Sequence, residues 1–183
     1  IKSISGIRGT IGGEVGTSLS PLDIVRFTAS YASFIKKQEH ESDTIIIGRD
    51  ARISGEIIRQ LVVSTLQSLG INVIDLGLST TPTVEIAVPL EQADGGIILT
   101  ASHNPKQWNA LKLLNEKGEF ISGTEGNELL EIAEKASFKF AEVDDLCVVT
   151  NDDSYLQKHI DAVLALPLVN VEAIKNANFS VVI

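Results

Sequence analysis

Short apolar runs alternate with longer stretches in which apolar residues recur every three or four positions. Ile45-Ile46-Ile47, Ile71 to Leu76 and Ile97-Ile98-Leu99 are the short runs, set off by Asp43-Thr44, Gly70 and Gly95-Gly96. Such runs, with little alternation, predict strands covered on both faces. Two helical stripes accompany them, one before the first run and one between the first and second. Leu22, Val25, Ala29 and Ala32 follow Ser20-Pro21-Leu22-Asp23. There Ser20 is the cap, Pro21 suits the first helical position, and the helix is predicted to reach about Lys37. Ile58, Val62, Thr65, Leu66 and Leu69 follow Ser54 as cap and stop at Gly70, which supplies a left-handed terminator. Thr81-Pro82 opens a shorter helix through about Pro89. The order strand-helix-strand-helix-strand predicts an α/β fold with a mostly parallel sheet.

The flanks are less regular. Lys2 to Arg8 reads as a strand running into a loop made permissive by Gly6, Gly9, Gly12, Gly13 and Gly16. After the central part, Leu111 to Leu114 predicts a strand that pairs back, followed by a hairpin turn at Glu116-Lys117-Gly118-Glu119. Glu125 to Ala136 predicts an acidic surface helix, and Ala141 to Val149 is weakly strand-like. Asp152-Asp153 start a last long helix carrying Tyr155, Leu156, Ile160, Val163 and Leu164, which Pro167 ends. Val171 to Lys175 predicts one more helical turn, and Phe179 to Ile183 a strand. The expected division is a first domain over 1–150 and the beginning of a second over 151–183. The chain has no methionine and stops inside its last predicted strand, so it is expected to be a piece of a longer protein.

Composition narrows the function. The 183 residues are enough for one domain with a real core. A net charge of -9 argues against nucleic acid as a partner, because phosphate backbones require a basic face. No apolar run approaches a membrane span and the start lacks signal-peptide organisation. Cys147 is the only cysteine, so no internal disulfide can form and a reducing cytoplasm is the expected compartment.

The candidate chemistry lies between Gly95 and Lys112. A buried strand stops at Thr100, and Ser102, His103, Asn104 and Pro105 follow at once. An ordinary turn would use the same residue types, yet the end of a buried strand is where open α/β sheets carry their sites. As a hydrolase nucleophile, Ser102 lacks a suitable base: His103 is adjacent, neighbours in extended chain point apart, and no Gly-x-Ser-x-Gly elbow is present. As a phosphoryl carrier it needs exposure and nearby cations, because phosphoryl transfer is mostly positioning and charge neutralisation. Lys112, ten residues on, Arg8 and His103 meet that need. At the end of another strand, Gly48-Arg49-Asp50-Ala51-Arg52 admits two readings. Asp50 is expected to brace a loop. Arg49 and Arg52 either do the same or lend positive potential to a phosphate site.

Four stretches in order carry a resemblance. They are Ser5-Gly6-Ile7-Arg8-Gly9-Thr10, Gly48-Arg49-Asp50-x-Arg52, Thr80-Thr81-Pro82-Thr83, and Thr100-Ala101-Ser102-His103-Asn104-Pro105 with Asn109-x-x-Lys112. Together they resemble the first domain of the α-D-phosphohexomutase superfamily, which includes phosphoglucomutases, phosphomannomutases and phosphoglucosamine mutases. Ala110-Leu111 stands where that family often has Gly-Phe before the lysine.

The resemblance implies a three-layer α/β/α sandwich around a mixed, mostly parallel sheet. It implies a phosphoserine at Ser102 that exchanges its phosphoryl group with a hexose phosphate through a 1,6-bisphosphate, moving phosphate between C1 and C6. Arg8, Lys112 and His103 are its expected catalytic surroundings. Asn104, Arg49 and Arg52 are expected in the substrate or phosphate environment. It further implies Mg²⁺ held by the Ser102 phosphate and by aspartates outside this chain, a hexose 1,6-bisphosphate activator, and packing against further domains. This chain by itself is therefore expected to be inactive. The alternative is a sugar-phosphate-binding or regulatory relative without mutase activity.

Overall fold

A computed structural model of the chain describes residues 2–3, 6–38 and 42–182. Ser5, the first residue of the first motif, and Ile183 lie outside them. The elements are β1 (Lys2–Ser3), β2 (Gly6–Thr10), α1 (Pro21–Lys36), β3 (Thr44–Arg49), α2 (Gly55–Ser68), β4 (Asn72–Leu78) and α3 (Thr81–Leu90). They continue with β5 (Gly95–Leu99), β6 (Trp108–Leu114), α4 (Gly123–Lys135), β7 (Val149–Asn151), α5 (Tyr155–Leu164) and α6 (Val171–Ala177).

The strands form one sheet in the order β1-β2-β6-β5-β3-β4-β7. It is mixed, with a sharp seam. The β5-β3, β3-β4 and β4-β7 pairs are parallel, and the β1-β2, β2-β6 and β6-β5 pairs antiparallel. The physical reason is connection length: 100–107 is too short to cross over the sheet, so β6 returns antiparallel to β5. The seam strand β5 is buried along its whole length.

Two cores flank the sheet, giving three layers. Ile45, Ile47, Ile97, Leu99, Leu111 and Leu113 meet α1, α2 and α4 on one face. Ile46, Ile98 and Leu114 meet Val84, Ala87 and Val88 of α3 and Tyr155 of α5 on the other. The unbroken apolar runs are thus alternating after all, with both faces covered. Glycine at 95 lets α1 close down: a Cβ there would lie 2.1 Å from the Tyr31 hydroxyl, which donates to the Leu114 carbonyl at 2.6 Å. Burial pushes the Tyr31 phenol far above its ordinary range.

Ser20 caps α1 in a full capping box with Asp23, and Gly70 takes φ 68 after α2. Four expectations change. Gly6 and Gly9 belong to β2 and not to a loop. Ser54 stands before α2, but its side chain makes no cap bond and accepts instead from Asn109 Nδ2 at 2.9 Å. The 141–149 stretch holds a 3₁₀ turn at Val143–Asp145, and the strand there is Val149–Asn151. Phe179 to Val182 form no strand; a strand needs a partner edge, and β7 already occupies that end of the sheet. No helix among the described residues is long and apolar enough to cross a membrane.

Candidate active site

The loop 100–107 leaves the carboxyl end of β5, next to the carboxyl end of β3. At its apex Ser102 is exposed and left-handed, with φ 53. That conformation costs a residue with a Cβ about 1–2 kcal/mol, and it persists where surrounding bonds over-determine it. Here a chain of polar groups does so. The Ser102 N–H donates to Thr100 Oγ1 at 3.0 Å, and the Thr100 hydroxyl donates to Asp50 Oδ2 at 2.6 Å. Asp50 also accepts from the Arg52 backbone N–H and from Arg52 Nε, both at 3.0 Å.

Arg52 completes the clamp. Its Nη1 donates to the carbonyls of Pro105 (2.9 Å) and Trp108 (3.1 Å), and its Nη2 to those of Ser102 (2.7 Å) and Asn104 (2.8 Å). With Nε on Asp50, all five guanidinium N–H groups are committed to protein acceptors. Lysine offers no such planar fork. Of the two readings the sequence left open for Arg52, the geometry is that of a loop brace. The Asp50 carboxylate likewise faces Arg52 and Thr100. No periodicity in the sequence announces a side chain that collects four carbonyls from a loop fifty residues away.

The charged surroundings come from the other side of the seam. Lys112 on β6 lies opposite Ile98, and its Nζ donates to Ser102 Oγ at 3.0 Å. Arg8 on β2 pairs with Ala110, two residues from Lys112 and on the same face. Gly6, Arg8, Thr100, Ala101, Ser102, Ala110 and Lys112 together line a small cleft of ≈ 30 Å³, about the room of one water. Glycine is required at position 6: it has φ 125, and a Cβ there would lie 2.2 Å from the Leu111 carbonyl oxygen. Ser102, Lys112 and Arg8 therefore converge.

The remaining candidates stand differently. His103 is exposed and makes no hydrogen bond or ion pair among the described residues. The loop turns here, with Asn104 N–H donating to the Ala101 carbonyl at 3.1 Å, so the expected extended-chain alternation does not apply. Asn104 contributes backbone to the turn and to Arg52. Arg49 points elsewhere: it donates to the Asp50 carbonyl (3.3 Å) and Glu56 (3.2 Å), and its buried Nε has no partner among the described residues. It lines a cavity of ≈ 550 Å³ with Ser79, Thr80, Thr83 and Tyr155, one that Ser102 does not line.

Two residues escaped the sequence reading of the site. Asn109 was only part of a motif. It is fully buried, and it ties β6 to Ser54 at the start of α2. Phe120 was not singled out. Its ring centroid lies 5.7 Å from Lys112 Nζ.

Among the described residues no three His, Cys, Asp or Glu side chains converge to hold a metal ion. The described residues alone do not supply the near-octahedral oxygen coordination that magnesium wants. Ser102 offers one oxygen.

Comparison with known proteins gives a consistent picture. Residues 2–140 match the family model described as phosphoglucomutase/phosphomannomutase, alpha/beta/alpha domain I. A phosphomannomutase of Vibrio cholerae is 37% identical over 75% of this chain and 29% of its own length. A phosphoglucomutase/phosphomannomutase of Thermococcus kodakarensis is 30% identical over 97% of this chain and 38% of its own. A solved phosphoglucomutase/phosphomannomutase family protein from Burkholderia thailandensis superposes with a TM-score of 0.73 at 22% identity, over 90% of this chain and 36% of that one. The chain thus spans about a third of the length of the relatives it matches.

Proposed function

The chain belongs to the phosphoglucomutase/phosphomannomutase family, as its domain I, and from that premise we propose that Ser102 is the phosphoryl carrier of a hexose-phosphate mutase. The observation that carries this is the bond from Lys112 Nζ to Ser102 Oγ at 3.0 Å, made to a serine held exposed at a braced apex. An ammonium aimed at the serine oxygen suits a group whose partner is a dianion.

The proposed reaction balances as follows. A hydroxyl of a hexose monophosphate attacks the phosphorus on Ser102, the bond from Oγ to phosphorus breaks, and a hexose 1,6-bisphosphate forms. Lys112 gives a proton to the departing serine oxygen and is made whole by the proton of the attacking hydroxyl. Arg8, from the neighbouring strand, adds positive charge where the phosphoryl group passes. After the bisphosphate turns over, its other phosphate returns to Ser102. Glucose and mannose phosphates are candidate substrates because the two relatives above are named for them, and glucosamine phosphate because other relatives are named as probable phosphoglucosamine mutases.

The metal belongs to the proposal too. A phosphorylated Ser102 would offer one oxygen to Mg²⁺, which would supply charge neutralisation at the transferring phosphoryl group, and further domains would provide the remaining ligands. The proposed working unit is therefore domain I packed with further domains. On this account the 183-residue chain alone does not turn over substrate.

The test follows phosphate between C1 and C6 by ³¹P NMR in the full-length protein with magnesium. Expected is interconversion of at least one of the three sugar phosphates. Ser102→Ala should abolish it while leaving the unfolding midpoint unchanged. A Ser102→Ala protein with undiminished turnover would overturn the carrier role.

A further inference from the structure

We propose that Phe120 is a positioning residue, whose ring holds the Lys112 ammonium against Ser102 without neutralising it. The hairpin geometry places it. Leu114 and Phe120 pair across the turn, and the Ile121 N–H returns to the Leu113 carbonyl at 3.1 Å. The Asn115 N–H donates to the Glu119 carbonyl at 2.8 Å, and the Asn115 side chain accepts from Lys117 and Glu119 N–H at 3.0 Å, so the turn is closed from within. A residue opposite Leu114 shares its face, and Lys112 is two residues from Leu114 on that same face. Phe120 and Lys112 are therefore diagonal cross-strand neighbours. The distance of 5.7 Å from Nζ to the ring centroid is within cation–π range.

The choice of partner matters for the chemistry. Among the described residues Lys112 makes no ion pair. Its ammonium has the serine oxygen on one side and the ring on the other. A carboxylate in place of the ring would fix the long side chain equally well, but it would cancel the charge that an incoming phosphoryl group needs. The ring quadrupole attracts the cation and brings no formal charge of its own. Phe120 is 39% exposed, so it is not a core residue whose loss would unfold the chain.

The consequence for transfer rests on the carrier reading above; the contact itself does not. The first readout is therefore ligand-free. In ¹H–¹³C NMR, the Lys112 ε-methylene, assigned with Lys112→Arg, should show an upfield ring-current shift. Phe120→Leu should move it to the position of the other exposed lysines, and Phe120→Tyr and Phe120→Trp should retain it. The second readout is phosphoryl gain at Ser102 of the full-length protein from glucose 1,6-bisphosphate. Phe120→Leu should slow it by about two- to fivefold, the size of a cation–π contact at an accessible site, and Phe120→Tyr should restore it. A Lys112 signal unmoved by Phe120→Leu would overturn the proposal, as would equal rates for the Leu and Tyr variants. If the unsubstituted protein gains no phosphoryl group, the carrier reading fails, and the NMR contrast still decides the role of Phe120.

Discussion

The two halves of the sheet treat the serine loop differently. The parallel half, through Asp50 and Arg52 at the end of β3, holds the loop by its backbone and turns no uncommitted charge toward the serine. The antiparallel half also touches the loop backbone, where the Thr100 N–H donates to the Ala110 carbonyl at 3.2 Å and the Ile11 N–H to that of Gln107 at 2.7 Å. Its side chains Lys112 on β6 and Arg8 on β2, however, line the cleft at the serine and bring charge to it. β5 belongs to both halves, and the loop leaves its end. One half fixes where the hydroxyl stands, and the other sets the field it stands in. Arginine suits the first task because a planar fork can saturate several carbonyls, and lysine the second because a flexible point charge can follow a moving group.

The largest break in that comparison is Arg52→Ala. It strands loop carbonyls and frees the Asp50 carboxylate, and hydrogen bonds to charged groups are worth about 1.5–3 kcal/mol each, so a loss of roughly 2–4 kcal/mol is expected in urea unfolding. Trp108, the only tryptophan, has its carbonyl on Arg52, and its fluorescence should report the loosened loop. Arg52→Lys should recover little of the loss. Lys112→Ala, at a half-buried position, should cost no more than about 1 kcal/mol, the size of one cation–π contact at an accessible site. Equal destabilisation by Arg52→Ala and Lys112→Ala would erase the division between the halves.

Thr100→Val sharpens the comparison at a single link. It removes the donor to Asp50 and the acceptor for the Ser102 N–H but keeps the shape. The expected cost is about 1 kcal/mol, because the half-buried Asp50 carboxylate loses one donor and the Ser102 N–H its acceptor. Any slowing of phosphoryl gain should come through loss of the left-handed Ser102 conformation, read as a shifted Ser102 amide resonance.

The smallest expected effect lies far from the loop, where α5 rests on α3 and supplies a control. The Tyr155 phenol is bonded to Glu91, and its ring lies under Lys158. The Ser154 hydroxyl, then its N–H, then Lys158, hold the Asp152 carboxyl below its usual range. A carboxyl depressed by folding stabilises above its unfolded value, near 3.9, and that contribution is lost as pH falls through the folded value. Lys158 is raised, first by its bond to Asp152; its contribution is full below its ordinary value and fades only as pH rises through the folded one. Protection factors in α5, taken against the intrinsic exchange rate at each pH, should therefore stay high between about pH 5 and 9 and fall near pH 3.

Much of this was legible in the chain itself, for physical reasons that can be named. The central strands were readable because a strand covered on both faces must be apolar throughout, and α1 because Ser20, Pro21 and Asp23 mark its start. The capping box at Ser122 and Glu125 was equally available and would have placed the start of α4. The short β7 was hard to read because an edge strand of three residues leaves almost no pattern. Ser102 and Lys112 were legible as a motif. The work of Arg52 was not, since spacing carries no information about which carbonyls a long side chain will reach. Phe120 was hidden for a related reason: its pairing with Lys112 depends on the register across a closed turn, and no local signal states that register.

The most direct test of the central claim is the mass of the protein after exposure to magnesium and, separately, to glucose, mannose and glucosamine 1,6-bisphosphates. The full-length protein should gain one phosphoryl group, located at Ser102 by peptide sequencing. It should lose that group on addition of the matching monophosphate, and Ser102→Ala should gain none. A folded protein that binds these sugars but never carries phosphate on Ser102 would contradict the account and leave a sugar-phosphate-binding domain in its place.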